Sequence, residues 1–390
     1  VYIGGKNSSL FYGLSSIYKP LGTIMLVNEM FNQKGSEISF RIGKPIPWES
    51  IAAMDLSKKA VAKLMRKQVY LLSQKKKKEL FKPIENIIHP VRTKLIRKEL
   101  KASQLIGKTQ DGKHIYLFDY MPNSSVMREI GRLRELSFRQ VQGGTGNALD
   151  IDSYDRYYRH LILWDEDELE IIGSYRIGEA AKILKKHGEA GLYTHSLFKF
   201  NQSFIPYLEH SIELGRSFIQ PRYQGKRSLD YLWYGIGAYL YQHPEIRYLI
   251  GPVSLSTSWP EPAQKVIASF YTELFGNNRT LVDPRLPFDF KPIHEFSPFT
   301  RVADEENYKQ AYAILKALMD DFGVKVPILY KQYVELCQPG GCEFLGFNID
   351  PSFSNCVDAL ILVHINTIKE KKHQRYIESH AAVSQKRDSA

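Results

Sequence analysis

Hydrophobic and polar positions in the middle of the chain predict hairpins that alternate with helices. SQLIGKTQDGKHIYLFDY predicts two strands that turn at Asp111 and Gly112. SSVMREIGRLRELSFRQV carries apolar residues at helical spacing behind Ser124, a residue type that caps helices. YDRYYRHLILWDEDELEIIGSYRIGEA then predicts a second hairpin, with its turn at Asp165–Glu168. Strands and helices therefore follow one another within one unit.

The pattern continues toward the C-terminus. ELGRSFIQPRYQGKRSLDYLWYGIGAYL predicts a strand, a basic loop and a helix, and IRYLIGPVSLS predicts the next strand. A helix over Glu306–Phe322 and strands at CEFLGFNI and DALILVHI follow. This order predicts an α+β fold. The charged, apolar-poor residues 371–390 are expected to be disordered.

The N-terminal part has weaker patterning. SEISFRIG alternates as a strand does, and GKPIP ends it. From Ser57 to Lys78 apolar residues recur at helical spacing among basic ones. Such a helix either lies on anionic lipid or presents a solvated face that leads into a linker. We divide the chain into residues 1–50, a basic helical linker at 51–100, a main domain at 101–370 and a tail at 371–390.

Composition narrows the protein classes. The chain has 390 residues, 43% of them hydrophobic, and a net charge of +11, which indicates a folded protein with anionic partners. Its three cysteines form no zinc pattern, and their odd number argues for a reducing, cytoplasmic setting. No apolar run reaches the roughly 18–20 residues of a spanning helix. Val1 and the absence of a signal segment indicate a piece of a longer chain. No nucleic-acid-binding motif accompanies the charge, so nucleic acid is not an expected partner.

The basic loop before the predicted helix has the chemistry of an anion site. Free N–H groups at a helix start attract phosphate, and a glycine permits close backbone approach. A basic surface turn is the alternative. The residues expected to bind phosphate are Arg222, Gln224, Gly225, Lys226, Arg227 and Ser228, the last also as the helix cap.

The spacing Arg222-x-x-Gly225 resembles the pyrophosphate loop of GNAT-type acyltransferases. Arg227 replaces the final small residue of that loop, which suits a single phosphate on a pantetheine arm better than coenzyme A. The pairs Asp152/Asp155, Gly173/Arg176 and Glu213/Arg216 match the Asp-x-x-Asp, Gly-x-x-Arg and Glu-x-x-Arg pattern that acyl-homoserine lactone synthases carry.

Six segments in order resemble the hemolysin-like GNAT acyltransferases, which include ornithine and glycine N-acyltransferases of aminolipid synthesis. They are IGRLRELSFRQV, GTG…LDIDSYD, GSYRIG, ELGRSFIQPRYQG, LWYGIGAYL and VPILYKQYVEL…GG…FNIDPSFSNCVDALI. The resemblance implies a GNAT-type mixed central sheet flanked by helices. It also implies transfer of a fatty acyl group from a thioester to the amine of a small amino acid.

Residues 1–50 are similar to the last third of the lysophospholipid (glycerol-phosphate) acyltransferase family, on VYIGGKNSSLFYGLSS…GTIMLVNEMFNQKGSEISFRIGKPI. We therefore expect a truncated α/β remnant without its catalytic His-x4-Asp motif. Two such strings occur downstream, His114–Asp119 and His160–Asp165. We interpret both as accidental, because a spacing of five along a strand directs the two side chains to opposite faces.

Amide formation needs a base near the amine nitrogen. The resemblance assigns that role to Glu213, with Arg216 as the second catalytic residue. The alternative is a strand carboxylate that merely pairs with Arg216. A backbone N–H near residues 217–219 is expected to stabilise the thioester oxyanion. The sequence shows no Ser-His-Asp or Cys-His arrangement, so we expect direct acyl transfer without a covalent enzyme intermediate.

Three acidic residues, Asp150, Asp152 and Asp155, either hold the substrate ammonium or act as turn and cap residues. Arg139 and Arg176 are expected to bind the amino acid's carboxylate. Ornithine is the expected amino acid, ahead of glycine, because a cationic side chain suits the acidic cluster. SLSTSW after the next strand lines an acyl tunnel or is an ordinary loop.

Acyl carrier protein, an acidic partner, is the expected donor through its acyl-phosphopantetheine, with no bound cofactor and no metal. We expect a peripheral enzyme on the inner face of the membrane. The alternatives are a coenzyme A-dependent acyltransferase of another amine and a non-catalytic, hemolysin-like membrane-binding protein.

Overall fold

The computed structural model describes residues 1–52, 54–74, 79–81, 83–277, 279–299 and 305–380. The chain forms two compact units that meet at Glu85 and Asn86. This boundary divides the predicted linker at 51–100, because helix α5 (Thr93–Lys101) packs within the second unit against α6 (Ser125–Gln140). No helix in the described ranges is long and apolar enough to traverse a bilayer.

The described residues of the first unit form four helices and one short strand pair. The strands β1 (Tyr2–Ile3) and β2 (Phe40–Arg41) pair antiparallel, so the predicted strand SEISFRIG is reduced to two residues. The helices are α1 (Ser9–Ile17), α2 (Lys19–Asn32), α3 (Trp48–Ala52) and α4 (Lys58–Leu71). The helix predicted over Ser57–Lys78 begins after Ser57, which caps it, and ends at Leu71, whereas Lys75–Lys78 lie outside the described residues.

The second unit holds the remaining elements. Its strands are β3 (Gln104–Lys108), β4 (His114–Asp119), β5 (Arg159–Asp165), β6 (Glu170–Glu179), β7 (Phe198–Phe200), β8 (Ser211–Ile219), β9 (Tyr248–Leu255), β10 (Val282–Pro284), β11 (Cys342–Asp350) and β12 (Cys356–His364). Its helices, after α5 and α6, are α7 (Ala180–His187), α8 (Tyr193–Leu197), α9 (Ile205–Leu208), α10 (Ser228–Gln242), α11 (Glu261–Phe275), α12 (Glu305–Asp321), α13 (Ile328–Leu336) and α14 (Glu370–Tyr376).

Eight strands form one mixed sheet in the order β11-β12-β9-β8-β6-β5-β4-β3, and β7 pairs with β10 beside it. Every neighbouring pair in the large sheet is antiparallel except β8 and β9. This confirms the predicted α+β class, with both hairpins at their predicted turns. Gly112 has φ of +83° at the first of them, a conformation that glycine adopts at little cost.

Alternate strand residues face the two sides of the sheet, and each side is covered by helices. On one side the core packs against α10 to α14. On the other side there are two apolar clusters, one under α5 and α6 and one under α7, α8 and α9. Polar side chains occupy this second side between the two clusters, and they are the candidate site.

The expectation of disorder from residue 371 is wrong for the residues that the structure describes. Residues Glu370–Tyr376 form α14, and Tyr376 is buried against α10. His380 is also buried, and its ring lies 4.1 Å from that of Tyr234. Two aromatic anchors at helical spacing outweigh the polar composition of this segment. Residues 381–390 lie outside the described ranges.

Candidate active site

The parallel strands β8 and β9 pair only at their beginnings. Their ladder comprises Ser211↔Tyr248, Ile212↔Leu249 and Glu213↔Ile250. Beyond it β9 carries Pro252, which has no N–H to donate to a neighbouring strand. At the same level β8 contains a bulge against β6, and Arg216 within it has φ of +48°. Such a conformation is rare for a non-glycine residue and concentrates at functional sites.

Gly251 lets the two strands approach closely just before they separate. A Cβ atom at this position would lie 2.1 Å from the backbone oxygen of Leu214. Only glycine fits there without moving the backbone. Gly251 therefore marks the last close approach of the two strands, and Pro252 and the bulge at Arg216 lie where they separate.

A buried network of arginines and aspartates lies beside this opening. Arg134 of α6 and Asp155 have no exposed side-chain surface, and Arg134 Nη1 donates to Asp155 Oδ1 at 2.8 Å. Arg176 of β6 donates from Nη1 to both oxygens of Asp152, at 2.7 and 2.8 Å. The backbone N–H of Asp152 donates to Asp155 Oδ2 at 2.9 Å, which joins the two pairs. Both aspartates of the predicted Asp-x-x-Asp pattern and the arginine of the Gly-x-x-Arg pattern thus belong to one network.

Arg216 reaches the same network from the bulge. Its Nε lies 3.4 Å from Asp150 Oδ2, and its Nη2 lies 3.5 Å from Asp152 Oδ2. Both oxygens of buried Asp150 lack a hydrogen-bond partner among the described residues, as do Nε and Nη2 of Arg176. Buried polar atoms without partners are rare and need an explanation. Here they mark a place where a small polar ligand would complete the network.

Aromatic rings surround the two arginines. The guanidinium of Arg176 lies 5.1 Å from the ring of Tyr158 and 5.3 Å from that of Tyr193. The guanidinium of Arg216 lies 5.0 Å from the rings of both Tyr193 and Phe353. Cation–π contacts stabilise guanidinium groups that are largely withdrawn from water. The rings also hold both arginines in one orientation.

Burial and charge set the titration of this network. Burial alone would raise the pKa of Asp155, but Arg134 and Arg176 lower it well below its ordinary value. Burial, and then the charge of Arg134, lower the pKa of His160 to about 4. Burial raises the pKa of Asp150 despite Arg216. His160 is therefore neutral at pH 7, and Arg134 Nη2 lies 3.2 Å from its Nδ1.

Glu213, predicted as the base, is fully enclosed. The Tyr158 hydroxyl donates to its Oε2, which also accepts from the backbone N–H of Tyr193 at 3.1 Å. Oε1 accepts from the backbone N–H of Thr194 at 2.6 Å. Burial raises the pKa of Glu213, against these hydrogen bonds. With both oxygens engaged and 1% of its surface exposed, Glu213 holds Tyr158 and the first turn of α8 in place.

Sequence reasoning missed another buried carboxylate on the same side of the sheet as Glu213. Asp358 of β12 is 2% exposed and pairs in register with Ser254 of β9. Ser254 is an exposed residue, and its hydroxyl donates to Asp358 Oδ1 at 2.5 Å. Asp350 lies on the neighbouring strand and accepts from the Tyr193 hydroxyl at 2.7 Å. One signal was available, since Asp358 is the single charge in the apolar run NCVDALILV.

The basic elbow forms as predicted, but its contacts differ. Arg222 is exposed and bridges Glu168 and Glu170 at 2.7 and 3.0 Å. Ser228 does not cap α10, because its hydroxyl donates to the carbonyl of Tyr223 at 3.0 Å and Arg227 occupies the cap position. The prediction of a Ser228 cap was wrong.

The elbow lies along a surface groove. Gly225 has φ of +74°, and the Gln224 side chain donates to the carbonyl of Ile219 at 3.2 Å. Lys226 lies over the ring of Tyr223 at 5.2 Å. The groove has a volume of about 480 Å³, and Lys226, Arg227 and Ser228 line one part of it. Acidic residues of the two hairpin turns line the other part.

Arg139, predicted to bind the carboxylate with Arg176, contacts Glu135 and the loop after α6. Its Nε donates to Glu135 at 2.8 Å and its Nη2 to the carbonyl of Asn147 at 2.6 Å. Glu135 also accepts from the N–H groups of Thr145 and Gly146. The structure therefore gives Arg139 a role in the loop after α6. In each His-x4-Asp string the histidine and the aspartate lie near opposite ends of one strand, β4 or β5. The two residues of a string are roughly 16 Å apart along that strand.

A family model described as an acetyltransferase (GNAT) domain matches residues 133–234. A glycine N(alpha)-acyltransferase of Phocaeicola vulgatus is 32% identical over 310 residues, which cover 76% of this chain and 94% of that protein. This chain belongs to that GNAT family of acyltransferases. A second glycine N(alpha)-acyltransferase, from Bacteroides thetaiotaomicron, is 33% identical over 316 residues, 76% of this chain and 92% of that protein. The chain is thus an acyltransferase with the fold that its sequence predicts.

Of two further relatives, one has a lower sequence identity and the other matches over a shorter stretch. An L-ornithine N(alpha)-acyltransferase of Rhodobacter capsulatus is 26% identical over 265 residues, 64% of this chain and 90% of that protein. A lyso-glycine lipid O-acyltransferase of Bacteroides thetaiotaomicron is 38% identical over 56 residues, 13% of this chain and 21% of that protein. Among solved structures, the CoA-dependent acyl-homoserine lactone synthase MesI has a TM-score of 0.30 and 10% identity, over 68% of this chain and 95% of that chain.

Proposed function

We propose that this enzyme transfers a fatty acyl group from a carrier-bound thioester to the α-amine of glycine. The observation that carries the proposal is the pair Arg176 and Arg216 beside the opening between β8 and β9. Arg176 has two guanidinium nitrogens without a partner among the described residues, and Arg216 makes only long ion pairs. A carboxylate bound here would satisfy these donors. The substrate's amine would then lie near the opening, where the thioester enters.

The charge balance of the site supports glycine over ornithine. Asp152, Asp155 and Asp150 each pair with an arginine of the chain itself. Three arginines thus balance the charge of the three aspartates, and no net negative charge is left for the side-chain ammonium of ornithine. Ornithine, predicted from that cluster, becomes the second candidate. Two glycine-acylating relatives matched over more than nine-tenths of their lengths support the same order.

The donor in this proposal is acyl carrier protein. The phosphate of its pantetheine arm would lie at the elbow, where Gly225 and the start of α10 offer N–H groups and Lys226 and Arg227 add charge. The pantetheine would run from the elbow into the opening between β8 and β9. Backbone N–H groups near residues 217–219 would face the thioester oxygen there. A net charge of +11 favours an acidic carrier.

The first unit fits a second acylation of the same lipid. We assign residues 1–50 to the remnant of an O-acyltransferase because of the segment VYIGGKNSSLFYGLSS…GTIMLVNEMFNQKGSEISFRIGKPI. Its basic helix α4 and the apolar product favour a peripheral position on the inner face of the membrane. The protein would then acylate the amine of glycine and release lyso-lipid at that surface.

Purified full-length protein tests the proposal with two amino acids and two donors. We expect N-acyl glycine from glycine and acyl-(acyl carrier protein), formed at least tenfold faster than N-acyl ornithine, by mass spectrometry. Acyl-coenzyme A should serve at a lower rate. Product from ornithine alone would contradict the substrate assignment. Absence of product with every pair, from folded protein, would contradict N-acyl transfer and favour the membrane-binding alternative.

A further inference from the structure

The amine of the amino acid must lose a proton before it attacks the thioester, and Glu213 is not placed to take that proton. Both of its oxygens accept hydrogen bonds from the chain itself, and 1% of the residue is exposed. A proton acceptor at this site needs a path to the substrate. The described residues on the same side of the sheet offer one such path through β9.

Ser254 provides that path. It lies on β9 beyond the last pair with β8, so it borders the opening where the two strands separate. Its neighbours Val253 and Leu255 are buried, whereas Ser254 is exposed. Its hydroxyl donates to Asp358, which is otherwise withdrawn from water. A serine hydroxyl that donates to a carboxylate can accept a proton from one side as it gives its own to the other.

We infer that Asp358, through the hydroxyl of Ser254, takes up the proton that the substrate ammonium loses during acyl transfer. This inference rests on the proposed function. The hydroxyl proton moves to Asp358 while Ser254 takes one proton from the ammonium. The neutral nitrogen then forms the C–N bond to the thioester carbonyl. When the C–S bond breaks, the sulfur leaves with the second nitrogen proton as a thiol, and Asp358 releases its proton to water.

The surroundings of Asp358 suit this role. Burial raises its pKa to about 7, and the charge of Asp350 contributes in the same direction. Ser254 and Arg216 act in the opposite direction. The other titratable groups that face it are Cys356 of its own strand, Tyr193 of α8 and Tyr330 of α13. A base that titrates near the working pH transfers protons efficiently in both directions.

The test is the pH dependence of kcat/KM for glycine, measured with the full chain and acyl-(acyl carrier protein). The wild type should show a transition near pH 7. Asp358→Asn should lose this transition and lower kcat roughly 100-fold or more, with KM for glycine changed less than threefold. Ser254→Ala should show the same loss of the transition and of kcat. Ser254→Thr keeps a hydroxyl and should retain most of the wild-type kcat. Above pH 9 the loss in Asp358→Asn should shrink, because the amine then deprotonates in water.

Asp350→Asn is the matched control, since it removes a second buried carboxylate. It should keep the transition and move it to lower pH, because one charge that raises the pKa of Asp358 is gone. A transition that persists unchanged in Asp358→Asn, in an enzyme that does acylate glycine, would overturn this inference alone. If the same transition disappears in Glu213→Gln only, the base is Glu213. A wild type without any N-acylating activity would overturn both the inference and the proposed function.

Discussion

Arg134 Nη1 donates to Asp155 Oδ1 at 2.8 Å, and neither side chain has any exposed surface. Removing one charge of such a pair leaves the other buried without compensation, which costs about 3–5 kcal/mol. Asp155→Asn should lower the free energy of unfolding by about that amount in urea titrations. Asp167→Asn removes a carboxylate that is 89% exposed and should change it by less than about 1 kcal/mol. Equal effects of the two variants would contradict the buried network.

The low pKa of His160 predicts acid sensitivity. The folded chain binds this proton only near pH 4, whereas the unfolded chain binds it near the ordinary value of 6.5. The contribution of His160 to the free energy of unfolding should therefore fall as pH decreases from 6.5 to 4 and level off below. Urea unfolding of His160→Gln should show a shallower fall across this window. His373→Gln, at a half-buried position of α14, is the matched histidine control.

Arg216 should determine the affinity for the amino acid. Arg216→Lys keeps the charge but loses the planar fork that binds a carboxylate. We expect KM for glycine to rise about tenfold, or about 1.4 kcal/mol of binding, with KM for the acyl carrier unchanged. Steady-state kinetics with each substrate varied in turn measure the two values. A rise in the KM of the carrier alone would place Arg216 at the donor instead.

The basic elbow should determine the affinity of the enzyme for the acyl carrier protein. Replacing Lys226 and Arg227 with alanine should raise KM for acyl-(acyl carrier protein) about tenfold at low salt, and added salt should narrow the difference. A short pantetheine thioester without the carrier should be affected less. Replacing Lys185 and Lys186 of α7 with alanine is the charge-matched control at exposed positions and should leave these values unchanged. A salt-independent effect would contradict an electrostatic role.

Two glycines near the opening between β8 and β9 should respond differently to substitution by alanine. Gly251→Ala places a Cβ 2.1 Å from the Leu214 carbonyl and should cost about 1–3 kcal/mol of stability. A Cβ on Gly215, which lies beside the bulge, meets no atom within 4 Å. Gly215→Ala should accordingly be tolerated. Thermal unfolding of both variants distinguishes this steric effect from a general sensitivity of the opening.

Local elements could be predicted from the sequence because their signals are local. The Asp111–Gly112 turn, the Ser124 cap of α6 and the helix after the elbow each depend on a few adjacent residues. The Asp-x-x-Asp and Glu-x-x-Arg spacings likewise placed Asp152, Asp155 and Arg216 in one network. The Ser228 cap was wrong because its hydroxyl found a carbonyl five residues back, at Tyr223.

Only the tertiary structure decided which of these groups are free to act. Glu213 is enclosed because Tyr158 and the start of α8 arrive from 55 and about 20 residues away. Asp358 meets Ser254 across 104 residues because β12 inserts beside β9 in the sheet. Periodicity along a strand tells which face a side chain takes, but only strand order tells what lies opposite it. The sequence by itself thus determined the fold class, the elbow and the arginines, and the sheet order determined that Asp358 lies opposite Ser254.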